Sequence, residues 1–184
     1  MQIVAPALEN DKYCMEEKEL REFFKNLIVA SMNSDTVNKV HPAFADIIKQ
    51  MSTLDAYTLD YFLNSAQVNI PLANIKRVNK LDSSYNYMYQ NLVKLNHPHY
   101  RPVDITLSVE NLIRLNVLVI PPDRHISGLK AYEWVYSNPE YMNIKASIDD
   151  SKYYLDIEKL ALRTTSFGRM LISICCQKQS QVFE

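Results

Sequence analysis

The chain has only two glycines among its 184 residues, Gly128 and Gly168, and they lie 40 positions apart. Phosphate-binding loops of nucleotide-binding proteins need clustered glycines, because the backbone must approach the phosphates closely. The sequence therefore excludes P-loop and dinucleotide-binding folds. The fold must instead consist of helices, strands and turns whose backbone conformations suit residues other than glycine at almost every position.

The length and the charge of the chain limit the possible classes of protein further. A chain of this length buries about 70% of the surface that its unfolded form exposes, so we expect one domain that folds without metals or disulfides. Lys and Arg number 20 against 21 Asp and Glu, so binding to nucleic acid or membrane would need a local patch. No apolar run is long enough to span a membrane, and the start lacks a signal-peptide pattern. We expect a cytoplasmic protein.

The three cysteines do not suggest a metal or redox site. Cys14, Cys175 and Cys176 form an odd set, which fits a reducing compartment. Cys175 and Cys176 are adjacent on a predicted helix and have no second ligand cluster at suitable spacing, so we interpret them as small core residues. We expect no zinc and no cofactor.

The first part of the chain has the periodicity of helices. Apolar residues recur at three- and four-residue steps over 16–32, which predicts an amphipathic helix. Pro42 suits the first turn of a second helix that ends near Gln50. Ser52 predicts the N-cap of a third helix, because Asp55 follows three residues later. We assign residues 1–51 to an N-terminal helical arm packed on the core.

The middle of the chain is ambiguous. Pro71 is expected to break the chain. Apolar residues between Ser83 and Leu95 have helical spacing and favour a helix, but Tyr85, Tyr87 and Tyr89 also alternate as strand residues do.

The second half predicts short strands and helices in alternation. Residues 103–105 are a short strand candidate, a helix follows over 108–116, and Val117–Ile120 is rich in β-forming residues. A further strand is expected within 153–162 and a last helix over 167–176. The stretch 123–150 is expected to be partly helical and packed. This order predicts a mainly α protein with a small β-hairpin, an α+β fold. Residues 52–184 would form a winged-helix-like domain with an insertion at about 123–150.

Short motifs then point to a family. They are Glu19-Leu20 through Leu27, His41-Pro42-Ala43-Phe44, Leu54-Asp55-Ala56, Ser108 through Leu118, and Thr165-Ser166-Phe167-Gly168. In this order and spacing the chain resembles the bacterial Abi-alpha family, which is linked to abortive-infection resistance against phage. The family usually has Gly-Leu where this chain has Asn116-Val117, and Leu where it has Thr164. It also usually has more chain before this point, so we expect that Met1 does not mark the start of the family's domain.

The resemblance implies an association with phage defence and no known catalytic residue. His41, Asp55 and Gly168 match family motifs without an assigned role. His41 lies before Pro42, where an imidazole can cap backbone N–H groups, and a lone His is more often structural than catalytic.

The other pairs of polar residues do not provide a better candidate for a catalytic or metal site. His97 and His99 flank Pro98, but no Cys or carboxylate lies near them in sequence to complete a metal site. Asp149 and Asp150 are interpreted as surface charge. We therefore expect no enzymatic activity. A toxin-like hydrolase that depends on His41 is the least favoured possibility.

Two places could bind nucleic acid. The helix over 108–116 would present Asn111 and Arg114 if it were a reading helix, although few cations accompany them. The segment from 76 to 101 has five cations against one carboxylate, a net charge of +4, and four tyrosines between them. Such mixing could support stacking and phosphate contacts. The candidate binding residues there are Lys76, Arg77, Lys80 and Arg101.

The sequence thus leaves two hypotheses open. The leading one is a non-enzymatic module in phage defence that acts through a protein partner or through self-association. The alternative is a nucleic-acid-binding winged-helix protein that uses the local basic and aromatic surface.

Overall fold

The computed structural model describes residues 18–176, apart from 65–68, 96, 98 and 129. This part of the chain contains six α-helices: α1 Lys18–Met32, α2 Phe44–Lys49, α3 Thr53–Asn64, α4 Pro102–Arg114, α5 Pro139–Ser147 and α6 Ser166–Cys175. Four strands, β1 Asn69–Asn79, β2 Tyr85–Val93, β3 Leu118–Val119 and β4 Tyr153–Thr164, form one sheet in the order β2-β1-β4-β3. None of the described helices is both long and apolar enough to cross a membrane.

The chain divides into two compact units. Among the described residues, the first takes its residues from 18–64, Asn111–Leu118 and 164–176, and the second from 69–110 and Val119–Arg163.

The first unit is helical, and α1 provides its longest helix. One face of α1 buries Leu20, Phe24 and Leu27, as its apolar spacing predicted. The side-chain amide of Asn26 on that face donates to the carbonyl of Cys175 at the end of α6, at 2.8 Å. This bond satisfies one of the last carbonyls of α6, which have no partner within their own helix.

The second unit is built on the antiparallel sheet. β1 pairs with β2 as a hairpin and, on its other side, pairs residue by residue with β4 from Asn69↔Arg163 to Asn79↔Tyr153. One face of the sheet packs into a core cluster, whose fully or nearly fully buried members are Ala73, Ile75, Leu92, Tyr132, Val135 and Tyr141.

The winged-helix prediction is wrong. β3 and β4 are neighbours in the sheet as expected, but β3 has only two residues. The long partner of β4 is β1, which also pairs with β2, so the architecture is α+β with a four-stranded antiparallel sheet. The prediction failed because it placed a helix where β2 lies and no element where β1 lies.

Pro71 explains why β1 was missed. A proline usually argues against an inner strand, because it cannot donate to a ladder. Pairing of β1 with β2 begins only at Leu72↔Val93, so Pro71 lies where β1 has a strand on one side alone, opposite Ala161. The missing N–H therefore costs the sheet little.

The strand predicted at 103–105 is also wrong, because α4 begins at Pro102. Proline is well suited to a first helical position. Asp104 reaches back to accept the backbone N–H of Arg101 at 3.0 Å, as the third residue of a helix does in a capping box. Because of Pro102 and Asp104, the helix begins earlier than the apolar pattern indicated.

Several local predictions are confirmed. The helices expected over 16–32, from Ser52 and over 167–176 match α1, α3 and α6, within the described residues. The strand expected within 153–162 is β4. The stretch 123–150 contains the 3-10 helix Glu133–Ser137 and α5.

Candidate functional site

The motif Thr165-Ser166-Phe167-Gly168 forms the start of α6. Thr165 is the N-cap, and its hydroxyl accepts the N–H of Gly168 at 2.7 Å while donating to the carbonyl of Asn116 at the same distance. The Thr165 N–H donates to the carbonyl of Val117 at 3.0 Å. The first turn of α6 therefore lies directly on the turn that follows α4.

Gly168 is required by this close approach. A Cβ added there would lie 2.8 Å from the carbonyl carbon of Val117 and closer still to its oxygen. On the other side of the contact, Asn116 has the left-handed φ of 56° expected after a helix end, and Val117 donates to the carbonyl of Leu112.

His41 belongs to a small aromatic cluster in the first unit. Its ring centroid is 5.3 Å from that of Phe167, in an edge-to-face arrangement, and 5.9 Å from that of Phe44. Nδ1 of His41 accepts the N–H of Ala43 at 3.1 Å. The imidazole thus caps backbone and packs between two motif phenylalanines, which is a structural role.

Asp55 anchors the start of α3 and is only 2% exposed. Its Oδ2 accepts the backbone N–H of Ser52 at 2.7 Å, and the Ser52 hydroxyl accepts the N–H of Asp55 at 3.2 Å, which together form a capping box. The Ser52 hydroxyl also donates to Oδ2 at 2.9 Å. The side-chain amide of Asn111 donates to the same oxygen at 2.9 Å and to the carbonyl of Gln50 at 3.1 Å. Among the described residues, nothing hydrogen-bonds the buried Oδ1 of Asp55.

Arg114 extends this network at its exposed end. Its Nε and one terminal nitrogen donate to Oδ1 of Asn111 at 3.0 and 2.8 Å, and the other terminal nitrogen donates to Oε1 of Gln50 at 3.1 Å. The two residues predicted to read a nucleic acid, Asn111 and Arg114, therefore bind each other, and Asn111 also binds Asp55 at the start of α3.

A family model described as abortive infection alpha matches residues 1–175 of this chain. The chain belongs to the Abi-alpha family. A search of the curated proteins and a search of the solved structures each found no match. In this Abi-alpha chain, the motif residues His41, Asp55 and Gly168 all lie in the first unit, where each is used for capping or packing.

The four cations predicted in the 76–101 segment contact four different groups. Lys76 pairs with Glu158 at 2.5 Å, and Lys80 donates to the carbonyl of Asp150. The guanidinium of Arg77 lies 4.7 Å from the ring centroid of Tyr153, and Arg101 pairs with Asp104. Because neighbouring strand residues face opposite sides, Lys76 and Arg77 also lie on opposite faces of the sheet.

Lys76 lies at the centre of a hydrogen-bonded group. Glu158 accepts from Lys76, from the side-chain amide of Asn74 at 2.6 Å and from the hydroxyl of Tyr87 at 3.1 Å. The hydrogen bond to Glu158 raises the pKa of Lys76. Partial burial opposes ionisation of Glu158, but the hydrogen bonds from Lys76, Asn74 and Tyr87 outweigh it, so the pKa of Glu158 is below its ordinary value.

Tyrosines surround Lys76 on the sheet face opposite the core cluster. In register, Lys76 lies between Tyr87 and Asp156, and the next row places Val78 between Tyr85 and Tyr154. The three tyrosines Tyr85, Tyr87 and Tyr154 are 52%, 41% and 47% exposed. The ammonium of Lys76 stands 4.6 Å from the ring centroid of Tyr85 and 5.3 Å from that of Tyr87. We call Tyr85, Tyr87, Tyr154, Lys76, Asp156 and Glu158 the tyrosine surface.

A bulge in β2 determines which tyrosines of this strand lie on the tyrosine surface. Ile75 pairs with Tyr89 and Lys76 pairs with Tyr87, so one step on β1 corresponds to two steps on β2 and Met88 is the extra residue. Tyr89 consequently packs against the core cluster, and its hydroxyl accepts from Thr106 at 3.2 Å.

The tyrosine surface was only partly visible in the sequence. The alternation of Tyr85 and Tyr87 was the available signal. Glu158, Tyr154 and Asp156 were missed, because they come from a strand more than 60 residues away in the sequence and carry no motif of their own.

The other candidates have local roles. His97 and His99 share one loop, where Nδ1 of His97 accepts the N–H of His99 at 3.1 Å. Asp149 caps a turn, and hydrogen bonds from Ser151 lower its pKa. No group of three or more potential ligands that could hold a metal occurs among the described residues.

The two described cysteines belong to the end of α6, whereas Cys14 lies outside the described residues. Cys175 is fully buried, and burial raises the pKa of its thiol. Burial also raises the pKa of Cys176 to about 12. At neutral pH both are therefore protonated and poor nucleophiles.

The charge pair at the centre of the tyrosine surface predicts a pH dependence. Because the pKa of Glu158 in the folded protein is below its ordinary value of 4.5, its carboxylate stabilises the fold at pH values above 4.5. This contribution is lost as the pH falls through the folded-state pKa. We expect Glu158→Gln to destabilise the protein by about 1 kcal/mol at pH 7 and by less at pH 4. Urea unfolding at both pH values measures this, and an equal difference at both would contradict the assignment.

Proposed function

We propose that this Abi-alpha chain is a non-enzymatic interaction module that acts in abortive infection in the bacterial cytoplasm, and that it binds a protein partner through the tyrosine surface. The observation that carries the proposal is the placement of Tyr85, Tyr87 and Tyr154, each about half exposed, on one sheet face around a neutralised lysine.

Tyrosine on a rigid strand is suited to protein recognition. It offers a large contact area with few rotatable bonds and a hydroxyl that can hydrogen-bond at the rim of an interface, and tyrosines are enriched at interface hot spots. The sheet face beneath it is fixed by the β1 and β4 pairing and by the bonds to Glu158. A partner would therefore find these rings already positioned.

Nucleic-acid binding remains the second candidate, since tyrosines with a nearby lysine can stack on bases. Against it, Lys76 is paired with Glu158 and Asp156 lies beside it, which disfavours phosphate. Binding of labelled DNA and RNA across a salt series tests this candidate. Affinity that falls steeply with salt would support it and would count against the protein-partner proposal.

The proposal predicts that substitutions in the tyrosine surface reduce phage restriction without unfolding the protein. Tyr85→Thr combined with Tyr154→Thr removes two exposed rings, leaves the Glu158 hydrogen bonds intact and keeps residues that favour strands. We expect this variant to unfold within a few degrees of the wild type and to lose most of its restriction of a phage that the wild-type chain restricts. Plaque counts and thermal unfolding measure the two properties.

A matched control changes two exposed apolar residues elsewhere in the same unit. Leu107 and Met142 are 59% and 57% exposed on α4 and α5. Leu107→Gln combined with Met142→Gln keeps helix-forming residues and should leave restriction unchanged. Restriction retained by the tyrosine variant, or lost equally by both variants, would refute the role of the tyrosine surface.

A further inference from the structure

The tyrosine surface and the turns beside it carry a net negative charge. The surface itself holds one cation, Lys76, and two carboxylates, Asp156 and Glu158. The turns 80–84 and 149–152 at the end of the same strands add two lysines and three aspartates. The group as a whole therefore has a net charge of −2, although the whole chain is almost neutral.

The carboxylates are not equally available. Glu158 is occupied by Lys76, Asn74 and Tyr87. Asp82 and Asp149 accept from serines in their own turns. Asp156 is exposed, pairs in register with Lys76 and takes part in none of the ion pairs formed among the described residues. It is thus the carboxylate on the surface that can receive an external cation.

The rings show how a cation is accommodated. Lys76 already stands over the rings of Tyr85 and Tyr87, at cation–π distances. Tyr154, two residues before Asp156 on β4, shares the same face and has no such cation within the described residues. A planar guanidinium can stack on a tyrosine while donating to a neighbouring carboxylate, which an ammonium does less well.

We infer that the tyrosine surface recognises an arginine-bearing segment of a protein partner, with the guanidinium stacked on Tyr154 and paired with Asp156. This inference rests on the proposed function and gives the partner its chemistry. A polyphosphate backbone is disfavoured by the same negative charge.

The test uses the full chain labelled with ¹³C in its tyrosine rings, whose signals are assigned by single Tyr→Phe variants. The probes are the blocked peptides Gly-Arg-Gly-Arg-Gly and Gly-Lys-Gly-Lys-Gly, which have equal charge, and hexathymidylate. We expect the arginine peptide to shift the signals of Tyr85, Tyr87 and Tyr154 and to bind about threefold more tightly than the lysine peptide. Signals of the buried Tyr132 and Tyr141 should not move.

A charge-neutralising variant makes the test specific. Asp156→Asn should weaken binding of the arginine peptide by about threefold to tenfold. Asp123→Asn is the matched control, because Asp123 is exposed and its left-handed backbone suits Asn equally well. Equal affinity of the two peptides, no effect of Asp156→Asn, or shifts caused only by hexathymidylate would each overturn the inference. If the tyrosine variant loses phage restriction but no peptide binds, the proposed function stands and this inference falls.

Discussion

Gly168→Ala is expected to destabilise the protein by about 3 kcal/mol, although alanine favours helices over glycine by about 1 kcal/mol. The added Cβ would lie 2.8 Å from the carbonyl carbon of Val117, and the atoms that it meets there belong to the backbone of Val117, which cannot rotate away. The cost comes from separating the first turn of α6 from the turn after α4, including the bonds of Thr165. Urea unfolding followed by circular dichroism measures the effect.

The other glycine is the natural control. A Cβ at Gly128 would meet only the side chain and backbone nitrogen of Ala131, at 3.5 and 3.8 Å, which is ordinary contact. Gly128→Ala should therefore change the free energy of unfolding by no more than about 0.5 kcal/mol. If both variants were equally stable, the close approach of α6 to Val117 would be incorrect.

The second large effect is expected at the buried carboxylate of Asp55. Asp55→Ala removes the cap of α3 and one of the two acceptors of the Asn111 amide, so we expect a loss of about 3 kcal/mol. Asn111→Ala should cost about 2 kcal/mol, because Asp55 and the carbonyl of Gln50 each lose a donor. Unfolding free energies of both variants test this.

The double variant Asp55→Ala, Asn111→Ala tests whether the two substitutions remove one shared interaction or two independent ones. We expect the two effects to fall short of additivity by about 1 to 2 kcal/mol, since both variants break the same bond. Arg114→Ala serves as the control, because Arg114 is exposed and its partners are neutral; it should cost less than about 1 kcal/mol. Full additivity would mean that Asn111 does not hold Asp55.

The helices α1, α3 and α6 were predictable because local signals specify them. The apolar spacing of α1, the Ser52 and Asp55 capping pair and the Thr165 cap each act within a few residues, so the sequence pattern is sufficient. The left-handed turn at Asn116 was predictable for the same reason. The family motifs proved to be such signals, together with the packing that joins them in the first unit.

The sheet was not predictable to the same degree, because it depends on pairing between distant segments. Simple alternation would place Tyr85, Tyr87 and Tyr89 on one face, yet the extra residue Met88 turns Tyr89 to the core. The partner of Lys76, Glu158, is fixed only by the β1 and β4 register. The 76–101 segment therefore resembled a basic patch, although Lys76, Arg77, Lys80 and Arg101 each contact a different group in the structure.

The temperature dependence of phage restriction tests most directly our proposal that the family motifs maintain the fold while the tyrosine surface carries the function. Plaque counts would be compared at 20 and 37 °C for the Gly168→Ala variant and for the Tyr85→Thr and Tyr154→Thr double variant. We predict that the glycine variant regains restriction at the temperature where circular dichroism finds it folded, while the tyrosine variant is folded at both temperatures and restricts at neither. A folded but inactive Gly168→Ala protein, or an active tyrosine variant, would contradict the account.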